Sequence, residues 1–349
     1  MNKNNEIKSG SILILTEGNI DQASARIRAI SYIPLMEAEG YKVTHIPRVP
    51  LRPDSLFRKY FLFPLMKRFL WLKRTIALLT GKWDIIFIQR LFIRKWLMQI
   101  ISRKSYVIFD FDDAVYLPEK PRRRIHKTGI MINYADKVIV STEYLNDFVG
   151  RFGKKATVIP SPVETDRIFP AHSNFEREIP VIGWIGSYWT TGYLKVIESA
   201  LQKLAEKFRF IFLTVGSDPA YKIPGINHII KPWSLENECS LVNEIDIGIM
   251  PLTDDEFSRS KGGYKLYLYM AAGIPCVASP VGINSTIIKH GDNGFLASSE
   301  NEWIETLGKL LSDSGLRKRM GKKGREDAVK FYDRKVCFSM IMNLISEIQ

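Results

Sequence analysis

The segment Ser258–Ala297, SRSKGGYKLYLYMAAGIPCVASPVGINSTIIKHGDNGFLA, carries the residues with the clearest chemical capacity in the chain. Lys261, Gly262 and Gly263 lead into a short apolar helix over Tyr264–Ala272, which Gly273-Ile274-Pro275 stops. A helix N-terminus exposes unpaired N–H groups and partial positive charge, so glycines with a lysine at such an end favour a phosphate. Lys261 and Lys265 are four apart and on a helix share one face. Glycine-rich strand-to-helix loops also serve as plain tight turns in any α/β domain, and spacing alone leaves both uses open. A second set of reactive types lies in the first half: Ser24, Arg26 and Arg28 at the start of a helix, Gln89-Arg90 at the end of one apolar run, and Asp110, Asp112 and Asp113 at the end of the next. Ser24 and Arg28 share a helical face, while Arg26 points elsewhere. Three carboxylates so close together suit a divalent cation, or a hydroxyl oriented by Asp112 or Asp113 as base or hydrogen-bond partner, or a helix capped by Asp113.

The elements that must position these groups form two similar series. SILIL (11–15), YKVTHI, IIFIQ (85–89), YVIFDF (106–111), KVIVS (137–141) and ATVIP (156–160) read as strands, with a helix over Ala23–Glu39 that ends at Gly40. PVIGWIGS (180–187) opens the second series. It continues through a helix near Tyr193–Lys207, FIFLTVGS (210–217), a strand near HII, DIGIMP (246–251) and PCVAS. Ile/Val-rich runs alternating with helical segments predict parallel sheets of Rossmann type. Ligands of such sheets bind beyond the carboxyl ends of the strands, which puts Gly186-Ser187, Gln89-Arg90 and the Asp110–Asp113 run at binding edges. The polar stretch Phe169–Pro180 is the expected boundary, and the tail reads as helical.

A chain of 349 residues suits two domains, and 46% hydrophobic with 25% charged residues describes an ordinary soluble globular protein. The net charge of +13 is unevenly spread. Residues 1–170 hold 29 Lys and Arg against 16 Asp and Glu, whereas residues 171–349 hold 21 of each. A basic half points to an anionic partner: nucleic acid, a phosphorylated acceptor or an anionic membrane. No nucleic-acid module accompanies the charge, so nucleic acid is not the expected partner. The segment 58–83, RKYFLFPLMKRFLWLKRTIALLTGKW, mixes aromatics with Lys and Arg, and with Pro121-Arg122-Arg123-Arg124 it makes peripheral contact with anionic lipid an expectation. Part of it also suits a core with snorkelling cations. Cys239, Cys276 and Cys337 are scattered without metal-ligand spacing, as buried thiols of a reducing compartment are. SILILTEG is too short for a signal-peptide core, and no run is long enough to span a bilayer, so the expected location is cytoplasmic, at most on the inner face of the cell membrane.

The runs KLYLYMAAGIPCVASPVG and HGDNGFLA resemble the donor-binding segment of the family-4 (group 1) glycosyltransferases. The resemblance implies the GT-B fold: α/β, two facing Rossmann-like domains with parallel sheets, and a C-terminal helix crossing back to the first domain. The implied division is 1–170 for a basic acceptor domain, 171–329 for a nucleotide-sugar donor domain and 330–349 for the crossing helix. It also implies retention at the anomeric carbon, no essential metal and no cofactor beyond the nucleotide-diphosphate sugar as co-substrate. Lys261, Gly262, Gly263, Tyr264 and Lys265 would meet the diphosphate, with Lys265 stabilising charge on the leaving group. Gly186, Ser187 and Thr190 would lie beside it, and Gly216 and backbone at Trp233 beside the nucleotide. A branch of the family has "S.R.R", "QR" and "D.DD" where this chain has Ser24, Arg26, Arg28, Gln89, Arg90 and Asp110–Asp113, implying acceptor contacts there and a catalytic Asp112 or Asp113. Two departures stand out. Relatives carry an Arg and a Lys just after the Gly186 loop, where this chain has Tyr188 and Trp189, and the family's Glu-x7-Glu pair falls on Ser260 and Leu268. Asp255 or Glu256 could replace the first glutamate. The expected activity is sugar transfer from a nucleotide donor to a saccharide or lipid-linked saccharide acceptor in envelope polysaccharide assembly. The alternative is a catalytically degenerate partner that binds nucleotide or anionic glycan without turnover.

Overall fold

The computed structural model describes residues 10–49, 63–117, 121–170 and 177–347; parts of the expected basic segment (58–62) and of the expected boundary (171–176) lie outside the described residues. The chain divides into two units: Met1–Ser161 with Arg334–Gln349, and Pro162–Asp333.

In the first unit β1 (Ser11–Thr16), β2 (Lys42–Pro47), β3 (Ile85–Gln89), β4 (Tyr106–Phe111), β5 (Lys137–Val140) and β6 (Thr157–Val158) form one sheet in the order β2-β1-β3-β4-β5-β6. Every pairing is parallel. β1, β3 and β4 are apolar along their length because helices cover both faces of a parallel sheet. Ile12, Ile14, Phe87, Ile108 and Ile139 share one core with Cys337, Phe338, Ile341, Leu344 and Ile345 of the last helix, Arg334–Ser346. Burying such side chains stabilises by about 1.5–3 kcal/mol each, which is why the chain's end belongs to its first unit. The register sets Thr16 beside Gln89 and Gln89 beside Asp110, so the ends of three strands are level where the strand order reverses between β1 and β3.

The second unit repeats the plan with β7 (Val181–Ile185), β8 (Ile211–Val215), β9 (His228–Lys231), β10 (Ile247–Met250), β11 (Cys276–Ala278) and β12 (Gly294–Leu296), ordered β12-β11-β10-β7-β8-β9. This is the doubly wound Rossmann order, reversing between β7 and β10. Its two ends are tied together: Val163 N–H donates to the Tyr332 carbonyl (2.9 Å), and Thr165 Oγ1 donates to Asp333 (2.5 Å).

Three local expectations change. The helix expected over Ala23–Glu39 breaks into Ala23–Arg28, a 3₁₀ turn at Ile30–Tyr32 and Ile33–Ala38. Pro34 lacks an N–H and clashes with the carbonyl one turn back, so a continuous helix cannot pass through it. The helix expected from Tyr193 is a 3₁₀ stretch, Tyr188–Val196, followed by Glu198–Ala205, with Ile197 in a non-helical conformation (φ −121°) between them. Gly294 opens the edge strand β12 as well as ending the Gly291 turn.

Candidate active site

At the reversal point of the first sheet, five polar side chains from the start of one helix and the ends of two strands form one connected network. Gln89 Nε2 donates to Ser24 Oγ (2.6 Å), and Ser24 Oγ donates to Asp112 Oδ1 (2.7 Å). Arg90 Nη1 donates to Asp112 Oδ1 (3.1 Å) and to Asp113 Oδ2 (3.2 Å). Arg90 stands at φ 54°, the one non-glycine residue with positive φ among the described residues. Holding a non-glycine side chain there costs on the order of 1–3 kcal/mol, and the carboxylates on Arg90 are what offsets it. Burial pushes the Asp112 carboxyl up, but Arg90, Arg28 and the Ser24 hydrogen bond outweigh it and hold the group below the usual carboxylate range. An anion so stabilised is a weak base and a strong hydrogen-bond acceptor, which favours the orienting role over proton abstraction.

Beneath this network lies the pair Arg28–Asp110, 3% and 1% exposed. Arg28 donates to Asp110 through Nε (3.1 and 3.0 Å) and Nη2 (2.5 Å), and through Nη1 to the Ile159 carbonyl (3.0 Å). Burial pushes Asp110 up to about 6, against the pull of Arg28. Arg26 donates to the Ile20 carbonyl (3.0 Å) and is also buried. The two arginines expected at an acceptor are therefore internal: Arg28 fixes the end of β4 and Arg26 the loop after β1. All three carboxylates, Asp110, Asp112 and Asp113, are engaged by Arg28 or Arg90.

In the second unit the head of helix Tyr264–Ala271 and the segment leading into it reach β7 and the 3₁₀ stretch that follows it through their two lysines. Gly263 caps that helix at φ 72°, where a Cβ would lie 2.4 Å from Ile287 Cδ1. This left-handed turn takes Lys261 off the helical path, so the face-sharing expected of Lys261 and Lys265 does not occur. Each lysine is held over an aromatic ring instead. Lys261 Nζ lies 4.4 Å from the Phe257 centroid and 5.4 Å from that of Tyr193, and Lys265 Nζ lies 5.5 Å from that of Trp184. Trp184 sits two residues before Gly186, so Lys265 reaches the end of β7. Gly186 N–H donates to the Val215 carbonyl (3.0 Å), and a Cβ on Gly216 (φ 72°) would stand 2.6 Å from the Gly186 carbonyl. Ser187 and Thr190 cap the 3₁₀ stretch reciprocally, with Ser187 N–H donating to Thr190 Oγ1 (3.1 Å).

Several expected donor residues are placed otherwise. Leu268 is 1% exposed within the core, and Ser260 is buried with its hydroxyl donating to the Phe257 carbonyl (2.7 Å), so neither side chain substitutes for a glutamate. Asp255 caps the helix Glu256–Arg259 by accepting from Ser258 N–H (2.9 Å). The Trp233 ring packs on the core, and its Nε1 donates to Glu238 (3.3 Å). A residue missed in the sequence is Tyr269. Its buried hydroxyl accepts from Ile185 N–H (3.0 Å) and donates to the Ile249 carbonyl (3.4 Å), tying β7 to β10 at the reversal point. Gly248 makes the room, since a Cβ there would lie 2.5 Å from the ring. A glycine inside a strand was the available signal.

Two parallel six-stranded sheets, each with its polar loops at the strand reversal, define a protein of GT-B fold. Residues 179–313, within the second unit, match the family model described as "Glycosyl transferases group 1". Sucrose-phosphate synthase from Thermosynechococcus elongatus superposes with a TM-score of 0.73 at 15% identity, covering 97% of this chain and 99% of that one. Alr3699/HepE of Anabaena, solved with UDP and glucose, superposes with a TM-score of 0.68 at 14% identity, covering 97% of this chain and all (100%) of that one. Spore coat protein SA of Bacillus subtilis (strain 168) is 37% identical over 65 residues, 18% of this chain and 17% of that protein's length. Among the described residues, no helix is long and apolar enough to cross a membrane.

Proposed function

We propose that this chain transfers a sugar from a nucleoside-diphosphate sugar to a saccharide or lipid-linked saccharide acceptor, with retention at the anomeric carbon, in cell-envelope polysaccharide assembly at the inner face of the membrane. The observation that carries the reading is the head of helix Tyr264–Ala271. There Lys261 and Lys265, each braced on an aromatic ring, flank the left-handed Gly263, and Lys265 lies over Trp184, two residues before Gly186. The solved complex of HepE with UDP and glucose supports a uridine donor. Lys261, Lys265 and the helix N-terminus stabilise the charge that builds on the leaving diphosphate, supplying what a bound cation supplies elsewhere. Gly186, Ser187, Thr190 and Gly216 give the nucleotide a close backbone approach. Ser24, Gln89, Arg90, Asp112 and Asp113 serve the acceptor, with Asp112 accepting a hydrogen bond from the attacking hydroxyl.

A second reading has one observation in its favour: Ser260 and Leu268 are both buried, so no carboxylate meets the donor from either position. It makes the chain a partner protein that binds nucleotide or anionic glycan without turnover. A panel of nucleotide sugars, each assayed for release of nucleoside diphosphate with and without saccharide acceptors, separates the two. The enzymatic reading expects turnover of at least one donor. Nucleotide bound across the panel with no release would establish the second reading and end the first.

A further inference from the structure

Helix Phe63–Thr80 turns its apolar side outward. Leu65, Phe69, Leu72, Ile76 and Leu79 recur at alternating spacings of four and three, which makes one helical stripe, and they are 36% to 64% exposed. Leu78, 2% exposed, lies on the opposite side, where the helix meets its own unit. A face of this size left in water marks an interaction site. Arg68 and Lys73 flank the stripe, and Trp71 and Met66, further round the helix, are exposed as well.

The surroundings extend the pattern. Helix Lys95–Ile101 packs beside it, and helix Pro121–Tyr134 beside that, carrying exposed Trp96 and Ile125. Together these three helices hold nine Lys and Arg (Lys67, Arg68, Lys73, Arg74, Lys95, Arg122, Arg123, Arg124, Lys127) and no Asp or Glu. The cations crowd one another: burial and nearby Arg48 hold Arg74 below its usual value, and burial with Arg123, Arg124 and Arg48 does the same to Lys127. Arg48 itself pairs with Glu17 at 3.3 Å.

We infer that this three-helix face of the first unit docks on an anionic lipid surface, with helix Phe63–Thr80 lying in the interface plane. An apolar stripe flanked by cations is what a helix needs to sit at the boundary of headgroups and acyl chains, and no helix among the described residues is apolar enough to cross. A second copy of the chain would bring nine like charges against nine, and a nucleic acid would leave the stripe unused. The inference stands apart from the donor reading. Vesicle binding without turnover upholds it and sinks that reading; turnover on a water-soluble acceptor without vesicle binding does the reverse.

The test is co-sedimentation of the full chain with phosphatidylcholine vesicles, with and without phosphatidylglycerol. The chain is expected to pellet with the anionic vesicles only, and less so at high salt. Lys73→Gln should weaken partitioning about fivefold, and Phe69→Gln with Ile76→Gln at least about tenfold. Circular dichroism should show both variants folded as the parent is, since the altered side chains are exposed. Three results overturn the inference: no sedimentation, sedimentation untouched by Phe69→Gln/Ile76→Gln, or a dimer in light scattering that the same double variant dissociates.

Discussion

Removing Arg28 should be the most damaging single charge change in the first unit. Its guanidinium makes three contacts with Asp110 between 2.5 and 3.1 Å and one with the Ile159 carbonyl, at 3% exposure. Arg28→Met keeps much of the volume but strands a buried carboxylate, which costs about 3–5 kcal/mol, and an unsatisfied carbonyl, about 1–3 kcal/mol more. With a urea slope of about 2–3 kcal/mol/M, the midpoint of the first unit's transition should fall by roughly 1–2 M or more. The pH dependence carries the signature. Asp110 already stands at about 6 with Arg28 beside it, and without that cation burial raises it further. A carboxyl whose folded pKa exceeds its unfolded value of about 4 destabilises progressively as pH rises between the two. The deficit of Arg28→Met should therefore be larger at about pH 8 than at about pH 5. Adding Asp110→Leu should recover most of the loss, because an apolar pair of similar volume is close to neutral. Urea titrations at both pH values check this. A single-variant loss below about 1 kcal/mol, or one that does not change with pH, would refute the reasoning.

Other predictions follow from the same geometry. Arg90→Gly and Arg90→Ala both remove the pairing with Asp112 and Asp113, but only glycine relieves φ 54°, so thermal melts should show the glycine variant more stable by about 1 kcal/mol. His228, held down to about 4 by burial and Lys222, receives Ile223 N–H at Nδ1 (3.2 Å), which its protonated ring could not do. The stability it contributes is present above its unfolded pKa and is lost as pH falls through that value of about 6.5 towards 4, so the gap between wild type and His228→Gln should close over that window in denaturant melts. EDTA should leave donor turnover unchanged, since in the proposed reaction Lys261 and Lys265 carry the charge; activity lost to EDTA and restored by Mg²⁺ or Mn²⁺ would return the role to a cation.

The strands were legible wherever both faces of the sheet are covered, as in IIFIQ and VIGWI, because burial on both sides leaves unbroken apolar runs. β12 was not, since three residues leaving a turn carry no periodicity. At the site, residue types identified the participants but not their partners. Gln89, Arg90 and Asp112 were named from strand ends and Ser24 from a helix start, yet nothing local distinguishes the Arg28 that is buried on Asp110 from the Arg90 that holds the network. That difference arises from strand register. Positive φ at Arg90 has no signature in residue type, and the helical geometry assumed for Lys261 fails because one glycine turns the backbone left-handed.

In the proposed reaction the head of helix Tyr264–Ala271 holds a diphosphate. Calorimetric titration of uridine, guanosine and adenosine diphosphates into wild type and Lys265→Ala tests it without knowledge of the sugar. A charge-assisted contact of about 1.5–3 kcal/mol predicts affinity for the preferred nucleotide about 10- to 100-fold weaker in the variant, with an unchanged melting profile. Equal affinity in the two proteins would contradict the account.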